Sequence, residues 1–143
     1  MNLTERARIL FARDLYATRQ TGINIDLVET DHAVCSVALN EDHRNAKGAV
    51  MGGVLFTLAD YAFAIAVHSD ILASTDDVEQ AQLQWVSTSA TINFISGTKG
   101  EKLIASSNCV KKGRTQAFFL TTVTDDLGKT ISTISTIGTR IMQ

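Results

Sequence analysis

The chain has 143 residues and a mass of 15.5 kDa, the size of one domain whose core needs neither disulfide nor metal as a staple. Hydrophobic residues make up 45% and charged residues 20%, which excludes wholesale disorder. Thirteen basic against 15 acidic residues leave a net charge of −2, which excludes a general nucleic-acid binder. The charged start MNLTERARILFARD lacks the apolar segment of a secretory signal, and the longest apolar run, Val54–Val67, is too short and interrupted to span a membrane. The expectation is a soluble cytoplasmic domain with no nucleic-acid or membrane partner.

Residues Leu3–Arg19 place Leu3, Ala7, Leu10, Phe11 and Leu15 at three- and four-residue spacing, predicting one amphipathic helix that stops near Gly22. Two strands follow, Ile23–Val28 and Ala33–Leu39, joined by the turn Glu29-Thr30-Asp31. Asn40–Gly53 reads as a polar loop and Val54–Ala73 as a second helix. After the polar stretch Ser74–Gln80 come four runs rich in Val, Ile, Thr and Phe: Leu83–Ile95, Lys102–Val110, Thr115–Thr124 and Thr130–Ile141. Gly97–Gly100, Lys111–Arg114 and Asp125–Gly128 separate them, which predicts an antiparallel four-strand meander. The class is α+β in a single domain, 1–143, with an N-terminal helix over about 3–19 and a core over about 22–141. Proline is absent, so Gly, Asn and Asp make the turns. Cys35 and Cys109 lack a CxxC partner and read as reduced core residues.

The second helix carries the first chemical signal. Val54, Leu55, Leu58, Ala62 and Ile65 form one apolar face while Phe56, Phe63 and Val67 occupy the other, so a single sheet cannot cover it and a second layer or subunit is expected. Within it lies one acid, Asp60, which is either paired, with Thr57 and Tyr61 as the nearest hydroxyls, or held with a raised pKa. Just before it, Asn45-Ala-Lys-Gly48-Ala-Val-Met51-Gly52-Gly53 brings paired glycines to the helix start, where unpaired N–H groups and the helix dipole suit an anion or a developing oxyanion. The segment lacks the GK[ST] ending of a phosphate loop.

Residues 43–66, HRNAKGAVMGGVLFTLADYAFAIA, resemble the signature of the hot-dog-fold acyl-CoA thioesterases of the phenylacetate-degradation type, a group close to the 4-hydroxybenzoyl-CoA thioesterases. The pattern there is Asn, a glycine-rich loop, His-Gly-Gly, then Leu-Ala-Asp. The resemblance continues through Ile92-Asn93-Phe94, Gly100-Glu101-Lys102-Leu103, Lys112-Gly113-Arg114 and Asp126-Leu127-Gly128-Lys129. It implies a hot-dog fold, an antiparallel sheet wrapped around a long buried helix, and hydrolysis of an acyl-CoA thioester to free acid and CoA. It implies further that Asp60 is the base or nucleophile and that the Gly52 amide polarises the thioester carbonyl, with Gly53 assisting the turn. Asn45 would hold the carbonyl or the attacking water, and Ser87 would orient the acid or the water, with Thr88 and Phe56 beside the substrate. The acid and the Asn/Gly loop would come from different subunits of a homodimer or homotetramer. No cofactor beyond the CoA of the substrate, and no metal, is implied. One departure stands out: Met51 replaces the histidine before Gly-Gly, and would widen the acyl entrance.

Lys111, Lys112 and Arg114 flank Gly113 at a hairpin turn; as a solvated turn they need no function, and by the resemblance they would meet the CoA phosphates. His32, His43 and His68 show no metal-ligand spacing, and Cys109 has no base beside it. The main alternative is a non-catalytic acyl-CoA binder of the same fold, which Met51 favours and Asp60, Asn45 and Ser87 oppose. A dehydratase or hydratase, which needs a histidine paired with the helix acid, a ligand-sensing regulator and a purely structural dimer rank lower.

Overall fold

Strands that alternate apolar and polar side chains must bury one face and leave the other open. Six segments form strands, β1 (Ile23–Glu29), β2 (His32–Ala38), β3 (Trp85–Phe94), β4 (Lys102–Lys112), β5 (Gln116–Asp125) and β6 (Thr130–Arg140), and all bury inward-facing side chains except β3, which beyond Trp85 is largely exposed. On β5, for example, Ala117, Phe119, Thr121 and Val123 point inward while Phe118 and Leu120 point out. In the computed structural model, which describes residues 1–141, the strands form one antiparallel sheet in the order β1-β2-β4-β5-β6-β3. This corrects the four-strand meander: β4, β5 and β6 are consecutive neighbours, but β3 pairs with β6 at the far edge and β4 pairs with β2. Residues 95–101 cross from β3 to β4 over the other strands of the sheet, a step that the local pattern of Val, Ile and Thr does not encode.

The sheet curls around α2 (Gly52–Val67), which touches all six strands, the hot-dog arrangement that the resemblance implied. Leu58, Ile65 and Val67 are fully enclosed, and Phe63 stacks edge-on against Phe119 of β5 at 5.4 Å between ring centroids. Phe63 and Val67 thus find cover within the protomer. What stays uncovered is the stripe through Gly53, Phe56, Thr57, Asp60 and Ala64. The helix begins at Gly52, two residues earlier than expected, and ends at His68, six residues before Ser74 closes the short α3 (Ser69–Ser74). The His68 ring makes the break: Nδ1–H donates to the Ala64 carbonyl (2.6 Å), and Nε2 accepts from the amides of Gln84 (3.1 Å) and Trp85 (3.0 Å).

The N-terminal helix is shorter than its periodicity predicts. After α1 (Leu3–Leu10) come a 3₁₀ turn (Phe11–Arg13) and a six-residue π-turn (Tyr16–Thr21) that ends on Gly22 at φ +84°. Phe11 and Ala17 are both buried, yet positions six apart lie about 240° around a regular α-helix, so a straight helix would expose one of them. The chain breaks at Asp14 (φ −78°, ψ 77°) instead. The Tyr61 hydroxyl on α2 then pins this segment by donating to the Phe11 carbonyl at 2.8 Å. No helix among the described residues is long and apolar enough to cross a membrane.

Candidate active site

Asp60 occupies the seam between α2 and the N-terminal segment. Its carboxylate is half-buried and opens into a cavity of about 310 Å³ lined by Asp14, Leu15, Tyr16, Ala17, Thr57, Tyr61 and Ala64. Neither neighbouring hydroxyl satisfies it, because Thr57 donates to the Gly53 carbonyl (2.8 Å) and Tyr61 to that of Phe11. Burial holds its proton affinity above the ordinary carboxylate value, and the Asp14 carboxylate adds to the shift. An acid left without a partner at a cavity wall has the character of a base kept ready for a proton.

Gly52 and Gly53 open α2, and their amides have no acceptor among the described residues, so two N–H groups project from the positive end of the helix. Beside them is a second cleft, of about 460 Å³, walled by Val50, Gly52, Leu55, Phe94, Ile95, Ser96 and Gly97. A Cβ on Gly52 would come within 2.8 Å of the Phe94 ring, so the exposed Phe94 side chain would have to swing aside to admit one. The preceding loop is closed by Asn45: its Oδ1 accepts from the amides of Lys47 (3.0 Å) and Ala49 (3.1 Å), and Gly48 turns it at φ +80°. The side-chain carbonyl of Asn45 is therefore occupied, and only its NH₂ is free to meet a substrate carbonyl. Met51 stands exposed at the helix start and supplies no cap.

Eight residues of helix separate Gly52 from Asp60, roughly 12 Å of rise, and the two open into different cavities. One protomer therefore does not bring its acid to its own free amides. Ser87 and Thr88 are exposed on β3 and line neither cavity. Thr88 sits where the β3–β6 register shifts, with its hydroxyl donating to the Ile137 carbonyl and meeting that of Thr139 at 3.0 Å. Phe56 is 36% exposed and also outside both cavities.

At the β4–β5 turn Lys111, Gly113 and Arg114 are open to solvent, but Lys112 is not. Its ammonium donates to Asp31 (3.1 Å) and to the Val67 carbonyl (3.0 Å), lies 3.7 Å from Asp70, and sits over the Trp85 ring. Lys112, grouped by the resemblance with the phosphate-binding side chains, is engaged within the protomer, where it ties the β1–β2 turn to the end of α2. The histidines are likewise engaged. His43 accepts from the Asn40 amide (3.0 Å) and donates to the Thr21 carbonyl (2.7 Å), while His32 meets the Ser107 carbonyl at 3.0 Å. Among the described residues no cluster of His, Cys, Asp or Glu is arranged to hold a metal. Cys35 and Cys109 are free thiols, and burial pushes Cys35 up to about 12.

Sequence reasoning missed the far walls of both cavities. Leu15 and Tyr16 read as part of a continuous helix, Phe94 and Ile95 as a strand end and Gly97 as the start of a turn, because periodicity reports which residues are buried and not what they face.

Residues 47–132 match the family model described as the Thioesterase superfamily. The chain belongs to that superfamily. It is 26% identical over 129 residues to the acyl-coenzyme A thioesterase PaaI of Escherichia coli (strain K12), an alignment covering 90% of this chain and 84% of that one. The structure of the E. coli PaaI protein from the phenylacetic acid degradation operon superposes with a TM-score of 0.78 at 22% identity, covering 99% of this chain and 97% of that one. A hypothetical thioesterase protein from Streptococcus pneumoniae TIGR4, solved with coenzyme A, gives 0.78 at 20% identity, covering 93% and 98%.

Proposed function

We propose that this member of the thioesterase superfamily hydrolyses an acyl-CoA thioester to the free acid and CoA, at a site shared between two copies of the chain. The observation that carries the reading is the separation of its two halves: an unpartnered acid in one cavity and unpartnered helix-start amides in another, on one rigid helix. Two copies related by a twofold axis would set the Asp60 of one against the Gly52 of the other. The family and the E. coli acyl-CoA thioesterase relative support the chemistry. The free edge of β3, with Val86, Phe94 and Ile95 exposed, supports the second copy, since an unpaired strand of this length is a template for another strand. Exposed Phe118 and Leu120 on the sheet's outer face offer a further apolar surface for a dimer of dimers.

In this reading the Gly52 amide, with the Asn45 NH₂ beside it, draws charge onto the thioester oxygen. Asp60 takes the proton of the attacking water as the C–O bond forms. The tetrahedral species then collapses, breaking the C–S bond and releasing CoA thiolate. One oxyanion donor is worth ~10²–10³-fold and a positioned base ~10²–10⁴-fold. Lys111 and Arg114, exposed at the β4–β5 turn, would meet the CoA phosphates.

The test is thiol release from acetyl-, hexanoyl-, palmitoyl-, phenylacetyl- and benzoyl-CoA by the wild type and Asp60→Asn. Turnover that drops at least ~10²-fold in the variant supports the reading; turnover at the wild-type rate refutes it. A second reading, a binder without turnover, rests on Met51 in place of the motif histidine, and saturable binding of the panel without thiol release would establish it.

A further inference from the structure

The cavity that receives Asp60 has a second aspartate, Asp14, on its rim, and the fold fixes the backbone of that residue by specific contacts. Tyr61, the residue after Asp60, pins the Phe11 carbonyl, and the same carbonyl accepts the Asp14 amide (3.2 Å). On the other side, the Asp14 carbonyl accepts from the Thr18 amide (3.0 Å) and hydroxyl (3.1 Å). The Phe11 ring meets the Tyr61 ring edge-on at 6.1 Å. Asp14 is thus fixed from both flanks at the junction of the 3₁₀ turn and the π-turn, and such π insertions mark functional positions more often than regular helix does. No hydrogen bond or ion pair among the described residues engages its carboxylate, although Arg13 is adjacent.

We propose that Asp14 is a positioning residue of the active site, the second carboxylate of the Asp60 cavity, acting on the reaction through Asp60 and not on the substrate. The inference rests on the role of Asp60 given above and adds the N-terminal segment to it. Two carboxylates facing one small cavity resist ionising together, so Asp60 keeps its proton to higher pH and is a stronger base once it loses it. Burial first, and then the Asp14 charge, holds Asp60 above the ordinary carboxylate value, while Asp14 itself lies exposed at the cavity rim. The other titratable groups near the pair are Arg13 and Tyr16 on the N-terminal segment, Tyr61 on α2 and Cys35 on β2, with Arg8 and Asp26 at the adjoining cleft. The cations among them are Arg13, which acts on Asp14, and Arg8 in the neighbouring cleft.

The experiment is the pH profile of kcat/KM for the best acyl-CoA of the panel, with wild type, Asp14→Asn, Asp14→Glu and Asp60→Asn. A carboxyl-carbon NMR titration of aspartate-labelled protein accompanies it, with the Asp60 signal assigned by its loss in Asp60→Asn. Removing the Asp14 charge should move the acid limb and the Asp60 titration to lower pH by roughly 0.5–1 unit, and Asp14→Glu should restore both. A profile that falls in height with its acid limb unmoved would mean a merely structural Asp14 and overturn the proposal, as would an unchanged profile. Undiminished turnover in Asp60→Asn would instead overturn the role of Asp60, while the NMR titration would still show whether the two acids are coupled.

Discussion

Replacing Lys112 with alanine separates a binding side chain from a structural one. The Lys112 ammonium is 15% exposed and donates to Asp31, itself 32% exposed, and to the Val67 carbonyl at the end of α2. Hydrogen bonds to charged groups contribute about 1.5–3 kcal/mol, and the contact with the Trp85 ring adds up to about 1 kcal/mol. The Asp70 pair, 54% exposed on the acid side, contributes little. Water reaching Asp31 in the variant offsets part of the loss, which leaves about 2–3 kcal/mol, or a Tm lower by about 8–12 °C for a domain of this size. Thermal unfolding at matched protein concentration measures it, because association would otherwise shift Tm. KM for an acyl-CoA and for the corresponding acyl-cysteamine should stay in the wild-type ratio. Arg114→Ala and Lys111→Ala should do the reverse, with Tm nearly unchanged and KM raised for the acyl-CoA alone. A Lys112→Ala protein that melts like wild type but binds acyl-CoA selectively worse would refute the structural role.

Asp60→Asn should raise Tm at neutral pH while removing turnover, since an acid whose folded pKa lies above its unfolded value lowers stability as pH rises through that window; a lower Tm would contradict its unpartnered state. His68 is held neutral by burial, so the unfolded chain binds its proton first and stability is lost as pH falls below about 6.5. Asp60 works in the opposite sense, so the measure is the difference between wild type and His68→Asn in urea unfolding from pH 7 to 5, and parallel slopes would remove His68 from the account. Gly138→Ala puts a Cβ at 2.8 Å from the enclosed Phe63 ring and should cost about 1–3 kcal/mol. Phe63→Leu should cost less in the Gly138→Ala chain than in the wild type, and fully additive losses would show that the two positions do not touch.

The order of elements was legible because each carries its own composition: Val54–Val67 is apolar all round, and the strands are runs rich in Val, Ile, Thr and Phe between turn residues. The acid and the glycine pair were legible because each breaks a local rule, a carboxylate in an apolar helix and two glycines at a helix start. Strand order was not, since β3 and β4 read alike in sequence and only long-range pairing places β3 beside β6. The anchoring of Lys112 was not legible for a related reason: a lysine at a hairpin looks solvated until the turn at Asp31, with φ +54°, is brought under it from 81 residues away. Asp14 passed as one polar position of an amphipathic helix because the break that leaves it on the rim of the Asp60 cavity answers a packing demand, the burial of both Phe11 and Ala17.

That packing demand also explains why the acid lies where it does. α2 needs three covers: the sheet on most of its surface, the N-terminal segment over Tyr61 and Ala64, and something further over Gly53, Phe56 and Thr57. On the fully wetted side an aspartate would titrate normally and make a weak base; on the sheet side it would stay protonated, with no path for water. Asp60 occupies the seam where two covers meet, dry enough to raise its proton affinity and open enough to be reached. The same position costs stability, because nothing in the protomer pairs with it. A helix used only to fill a core would place alanine or leucine there, and the substitution that strengthens the fold is therefore the one that should abolish the chemistry.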